Sequence, residues 1–184
     1  MLKTYLDQDL RERPEDPALL EKLLQKSRSN IPYLRQVLTS EPNEENETRL
    51  GRELQRLGTY LHLSKDFASA RDAKREAIAI WEKYGRHRAH FLARHQLAMI
   101  DIDDGAPEKT IAAIEALLLA LDEKTSLYRD FLFEGLARAH FACGHFDLAR
   151  NALEEALKLR EARGNDRHIE ETHRTLEIVT SRLP

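Results

Sequence analysis

The residues of widest chemical use in this chain are its eight histidines, its single cysteine and its adjacent carboxylates. His87 and His90 stand three apart and could share one helix face, half of a metal-binding spacing. No Glu-x-x-His pair accompanies them, and His90 and His95, five apart, point to different sides of a helix. His140 and His145 bracket Cys143 and Gly144 in what reads as a turn, where stacking or capping suits them. As a nucleophile, Cys143 would need an oriented histidine and an oxyanion site. At a helix end it reads instead as a small packing residue. Glu154-Glu155 and Asp103-Asp104 are paired in sequence only, because successive helical residues diverge by about 100° and cannot work as an acid and base pair. Phosphate loops, Gly-x-Ser-x-Gly and zincin motifs are missing from the sequence. These patterns point to a protein that is not an enzyme and takes no cofactor or metal.

The elements that carry these residues follow from composition. Of 184 residues, 41% are hydrophobic and 33% charged, with only seven glycines and six prolines. So few turn formers among so much Ala, Leu, Glu and Arg indicate an all-α chain. No apolar run approaches the roughly 18 residues that cross a bilayer, which argues against membrane insertion. The start, Met1 to Asp7, meets an acid before any signal-like stretch, and neither end carries a lipidation motif. With Cys143 alone, no internal disulfide forms, and a reducing, cytoplasmic location is expected. The net charge of −3 creates no global field toward nucleic acid.

The chain repeats itself. Residues 57–70 align with 136–149, and 97–110 follow the same pattern more loosely; Lys65, Gly105 and Gly144 hold one turn slot, 40 and then 39 residues apart. The small residues Gly58, Ala98 and Ala137 are expected to face Ala70, Thr110 and Ala149, because helix axes approach to about 8 Å only where the crossing residue is small. Leu54, Leu57, Gly58, Leu61, Ala70 and Ala77, and again Phe133, Leu136, Ala137, Ala149, Leu153 and Ala156, resemble the tetratricopeptide repeat (TPR). Lys74 stands where that pattern expects an aromatic or leucine. The long period is similar to the repeats of kinesin light chains and of bacterial regulatory proteins. The resemblance implies a right-handed α-solenoid of three TPR-like hairpins, about 47–86, 87–125 and 126–164, closed by a capping helix over 167–182.

Helices are expected over 2–13, 17–29, 31–40, 44–64, 67–84, 87–103, 107–122, 126–143, 146–163 and 167–182. Residues 1–46 form a separate N-terminal helical segment, read as a degenerate repeat stacked on the array. Its apolar stripes, among them Leu2, Leu6 and Leu10, and then Leu20, Leu24 and Leu34, otherwise need a partner or a second copy to cover them.

Charge is uneven: residues 71–95 carry seven basic against three acidic residues, and 96–135 three against nine. Varied solvated faces explain this, as does a polarised surface that steers a partner or supports a homodimer. By register, the resemblance places Arg52, Gln55, Thr59 and His62, then Leu92, His95, Met99 and Ile102, then Phe131, Glu134, Arg138 and Phe141 on a concave partner-binding face. The Lys and Asn set with which chaperone-binding repeats clamp a peptide carboxylate is not found there. The implied function is a protein-binding adaptor or regulator taking a protein or peptide partner. Alternatives are a secretion-type chaperone, against which the repeat length argues, and an anion- or nucleic-acid-binding regulator using the basic stretch 83–95. Trp81 shares an apolar stripe with Ala77, Ile78 and Ile80, and so reads as core rather than as a base-stacking platform.

Overall fold

The computed structural model describes residues 2–164 and 166–183. A short hairpin, β1 (Thr4–Leu6) and β2 (Glu12–Pro14), precedes eight helices among these residues. They are α1 (Pro17–Ser40), α2 (Glu44–Leu63), α3 (Phe67–Lys83), α4 (His87–Asp103), α5 (Pro107–Leu119), α6 (Arg129–Ala142), α7 (Phe146–Arg163) and α8 (Asp166–Thr180), with a 3₁₀ turn at Ser126–Tyr128 before α6. Contacts divide the chain into two compact units. The first comprises Met1–Tyr5 and Arg13–Ile100, the second Leu6–Glu12 and Asp101–Pro184.

Two N-terminal expectations are corrected. Residues 2–13 form a hairpin rather than a helix, because the Asp7 carboxylate accepts the amides of Asp9 and Arg11 at 3.0 and 2.9 Å while its carbonyl takes the Leu10 amide. Such local bonds compete with the helical ladder and close a turn. Helices 17–29 and 31–40 are one helix that runs through Pro32. The bond Pro32 forfeits is to Arg28, on an exposed stretch where water can replace it.

Asp16 caps α1 through the Leu19 amide, and Asn43 caps α2 through that of Asn46, each at 2.9 Å. The turns α2–α3, α4–α5 and α6–α7 share one hydrogen-bond pattern. In each, residue 65, 105 or 144 donates back three residues, to His62, Ile102 or Phe141, and the next residue donates back five, to Leu61, Asp101 or His140. That pattern needs a left-handed residue, and Lys65, Gly105 and Gly144 have φ of 65°, 81° and 76°. The turn slot aligned from sequence is thus the same backbone device three times.

In the first unit, α1 packs on α2 and α2 on α3 around Leu24, Leu34, Leu50, Leu54, Leu61, Ala77, Ile80 and Trp81. The α1 stripe is therefore covered within the chain and does not require a second copy. Gly51 is a small position the sequence reading passed over: a Cβ there would meet Ile80 at 3.0 Å and Trp81 at 3.2 Å. Gly58 is small for a reason other than Ala70. The stem of Lys74 lies across it, and a Cβ would stand 2.9 Å from Lys74 Cγ and Cε.

In the second unit, α6 packs on α5 and α7, and α7 on α8. Ala137, Phe141, Ala149, Ala152, Leu153 and Val179 make a core together with Leu10 from the hairpin tip. Helix α8 buries Thr172, Thr175 and Val179, with Leu176 and Ile178 partly covered, so its inner face is partly polar.

Candidate functional site

The first unit gathers its polar candidates around a buried lysine. Lys74 is 1% exposed, and its Nζ donates to the Gln55 carbonyl, Thr59 Oγ1 and Gln96 Oε1, each at 2.7 Å. An ammonium has three donors, and these three oxygens accept them. The Gln55 side chain joins the network, donating to Gln96 Oε1 at 3.0 Å and accepting the Trp81 indole N–H at 3.1 Å. Gln55 and Thr59 are thus half-buried structural partners of Lys74, and Trp81 is core. His62 is buried with its ring edge-on to Phe67. His95 is half-buried and Met99 buried. The residue that stays in solvent on the α2 face is Arg52, and with exposed Arg49 and Arg56 it forms a basic row at helical spacing.

The second unit is organised by a buried arginine. Arg160 is 2% exposed and donates Nε to Asp130 at 3.2 Å, Nη1 to Thr172 Oγ1 at 2.6 Å, and Nη2 to the Glu134 carboxylate. Arg163 reaches the other Asp130 oxygen at 2.5 Å. Burial alone would pull the Arg160 pKa down, but Glu134 and Asp130 hold it above its ordinary value. The guanidinium lies 5.5 Å over the Phe131 ring, which stands edge-on to His168 at 5.4 Å. Further along α6, Arg138 is 6% exposed and donates Nε to the Leu10 carbonyl at 2.8 Å, while Phe141 packs edge-on to Phe146.

Within their own units, Met99, Ile102, Phe131, Arg138 and Phe141 are buried or engaged by other side chains. Met99 and Ile102 are buried, Phe131 and Glu134 are engaged by Arg160, and Arg138 and Phe141 are covered by the hairpin tip. The physical reason lies in the partners: residues 6–12, 160 and 168 are remote in sequence from α6, and register within α6 cannot reveal them. One signal was legible. Arg160 continues the buried stripe of Leu153 and Ala156 at helical spacing, and a charge there requires a buried counter-charge.

His140, His145 and Cys143 all lie at the α6–α7 turn. Among the described residues no group of three or more His, Cys, Asp or Glu could hold a metal ion. His140 and His145 lie 5.9 Å apart across the α6–α7 turn, and burial, then His145, holds the His140 pKa low. Burial, then Glu108, pushes the Cys143 thiol up, away from a reactive thiolate. In the stretch 83–95, Lys83 and Arg86 meet Glu47 and Glu44 at 2.6 and 2.5 Å, which neutralises much of its outward charge. No helix among the described residues is long and apolar enough to cross a membrane.

No protein-family model matches the sequence, and no curated protein matches it either. Among solved structures it is similar to a protein of Podosopora anserina, named for kinesin light chains and built of nearly identical TPR-like repeats. That match has 17% identity and a TM-score of 0.50 and covers 91% of this chain and 96% of the other. A single-substitution variant of that protein matches at 15% identity and TM-score 0.51, over 89% of this chain and 92% of its own. At such identities the likeness is one of fold, and the fold is all-α, of the TPR-like solenoid class.

Proposed function

We propose that this TPR-like chain is a non-enzymatic protein-interaction scaffold whose first helices, α2 in the first unit and α6 in the second, each receive a segment of a partner protein. The observation that supports this reading is that α6 already holds a short segment of the chain itself, the tip of the N-terminal hairpin. Leu6–Glu12 lies against it, with the Leu10 side chain in a core shared with Ala137 and Phe141 and the Leu10 carbonyl on Arg138. One apolar pocket and one donor to the main chain are the basic equipment of peptide recognition, since the main-chain bond supplies affinity and the pocket sorts side chains. On α2, exposed Arg49, Arg52 and Arg56 favour an acidic partner segment.

A photo-crosslinking residue at Arg49 or Arg52 on α2, compared with one at exposed Ala79 on α3 or Asn151 on α7, tests the reading. Adducts with a defined protein from the α2 positions alone are expected, that from position 49 being lost when Arg52→Glu/Arg56→Glu is added. Equal adducts from all four positions would refute a partner face on the first helices. Self-association as a homodimer now rests on the uneven charge alone, and light scattering that shows a monomer at all salts removes it.

A further inference from the structure

Leu10 occupies a position where backbone and side chain disagree. Its φ of 53° is left-handed, a region that suits glycine or asparagine at a turn, yet its side chain is fully buried with Ala137, Phe141, Leu153 and Val179. The turn is held by the Asp7 carboxylate, so the loop is shaped to deliver one leucine side chain and one main-chain carbonyl. That carbonyl uses only part of what Arg138 offers. Nε donates to it, but Nη2 is buried and has no acceptor among the described residues. Nε–H and Nη2–H lie side by side on one edge of the guanidinium, and the complement of such an edge is a carboxylate. The loop cannot supply one. The carbon that bears the Leu10 oxygen also bears the Arg11 amide nitrogen, itself a donor, whose hydrogen goes to Asp7 Oδ1 at 2.9 Å.

We infer that the α6 socket is a receptor for a polypeptide that ends in leucine, its side chain replacing that of Leu10 and its terminal carboxylate bridging Arg138 Nε and Nη2. Leu6–Glu12 is the plug that fills the socket until such an end arrives. A chain end carries a second oxygen where the plug carries nitrogen, and so satisfies the donor the plug leaves bare. It brings negative charge to a buried guanidinium that is now bonded to a neutral carbonyl. It also has no chain to turn back, so nothing holds its leucine in the left-handed region. An internal leucine offers only what Leu10 already provides. This inference rests on the scaffold reading only in taking the natural ligand to be another protein.

The test is fluorescence anisotropy on the full chain with a fluorescein-labelled peptide, Ser-Gly-Ser-Ala-Leu, prepared as the free acid and as the C-terminal amide. Leu10→Gly, which relieves the left-handed leucine and empties the socket, should bind the acid at least tenfold more tightly than the amide, and at least tenfold more tightly than the wild type does. Adding Arg138→Gln should bring acid and amide to the same affinity. Asp7→Ala opens the turn without touching a socket side chain and should show the same gain, which keeps the test sound if Leu10→Gly loses native circular dichroism. Equal binding of acid and amide, or no binding to a natively folded plug variant, overturns the proposal. Crosslinking from α2 is read separately, so a failed peptide result leaves the scaffold reading standing, and a failed crosslink leaves the socket result interpretable.

Discussion

The two units each bury one long cation on a second helix and aim it at the helix before. They satisfy it by opposite means. In the first, Lys74 gives its three hydrogens to a carbonyl, a hydroxyl and an amide oxygen. In the second, Arg160 is clamped by the carboxylates of Asp130 and Glu134 and by Thr172. The lysine acts as a hydrogen-bonding plug whose stem also fills the space over Gly58, whereas the arginine is the centre of an ionic cluster joining α6, α7 and α8. The same requirement, that a buried charge be fully bonded, thus leaves different residues stranded when the cation is lost.

The largest effect is expected at Arg160. Arg160→Met keeps most of the volume but leaves Asp130, itself 1% exposed, without its deepest counter-charge. Removing one partner of a buried ion pair typically costs about 3–5 kcal/mol. Urea unfolding followed by circular dichroism should show that loss, and one near zero would mean that Arg163 alone satisfies Asp130.

Lys74→Met should cost less, about 1–3 kcal/mol, because it strands neutral oxygens and leaves no carboxylate without a partner. The stem contributes separately. Gly58→Ala pushes a Cβ to 2.9 Å from Lys74 and should cost about 1–3 kcal/mol by overpacking, but much less in a Lys74→Ala background. A double-mutant cycle reads that coupling, and additive losses would show that Gly58 is small for some other neighbour.

The turn slot gives a third contrast between the units. Lys65 and Gly144 hold the same left-handed conformation, but only one is glycine. Lys65→Gly should stabilise by roughly 1 kcal/mol, and Gly144→Ala should destabilise by a similar amount through strain alone, since a Cβ at 144 meets nothing within 4 Å. Equal and null results at both sites would show that the slot is not under backbone constraint.

These residues also show what a sequence can reveal. Period, turn slot and small crossing positions are local and repeated, so the helical hairpins and the roles of Gly105, Gly144, Ala137 and Trp81 were legible. The candidate site was not. Whether Arg138 faces solvent or a loop 128 residues earlier, and whether Glu134 is free or held by Arg160, depends on pairings that no periodicity encodes. The hairpin was missed for a related reason: the stripe Leu2, Tyr5, Leu6 and Leu10 fits a helix, while the outcome turned on the single carboxylate of Asp7, which closes a turn first.

The smallest effect separates the units by pH. His90 in the first and His140 in the second both titrate below the ordinary histidine value of 6.5, chiefly through burial. A base whose pKa is lowered on folding binds fewer protons folded than unfolded, so its contribution is complete above pH 6.5 and is lost as pH falls toward the folded value. The second cause differs: beside His90 it is Arg94, charged at every pH, and beside His140 it is His145, charged only once protonated. Urea midpoints at pH 7.5 and 5.5 should therefore converge slightly in His90→Gln and in His140→Gln relative to the wild type. Arg94→Gln should weaken the His90 contribution alone, and His145→Gln that of His140 alone. A wild-type gap between the two midpoints that survives His90→Gln and His140→Gln together would assign the acid sensitivity to Glu47 instead, whose carboxyl is held low by the hydrogen bonds of Lys83 and then Tyr84.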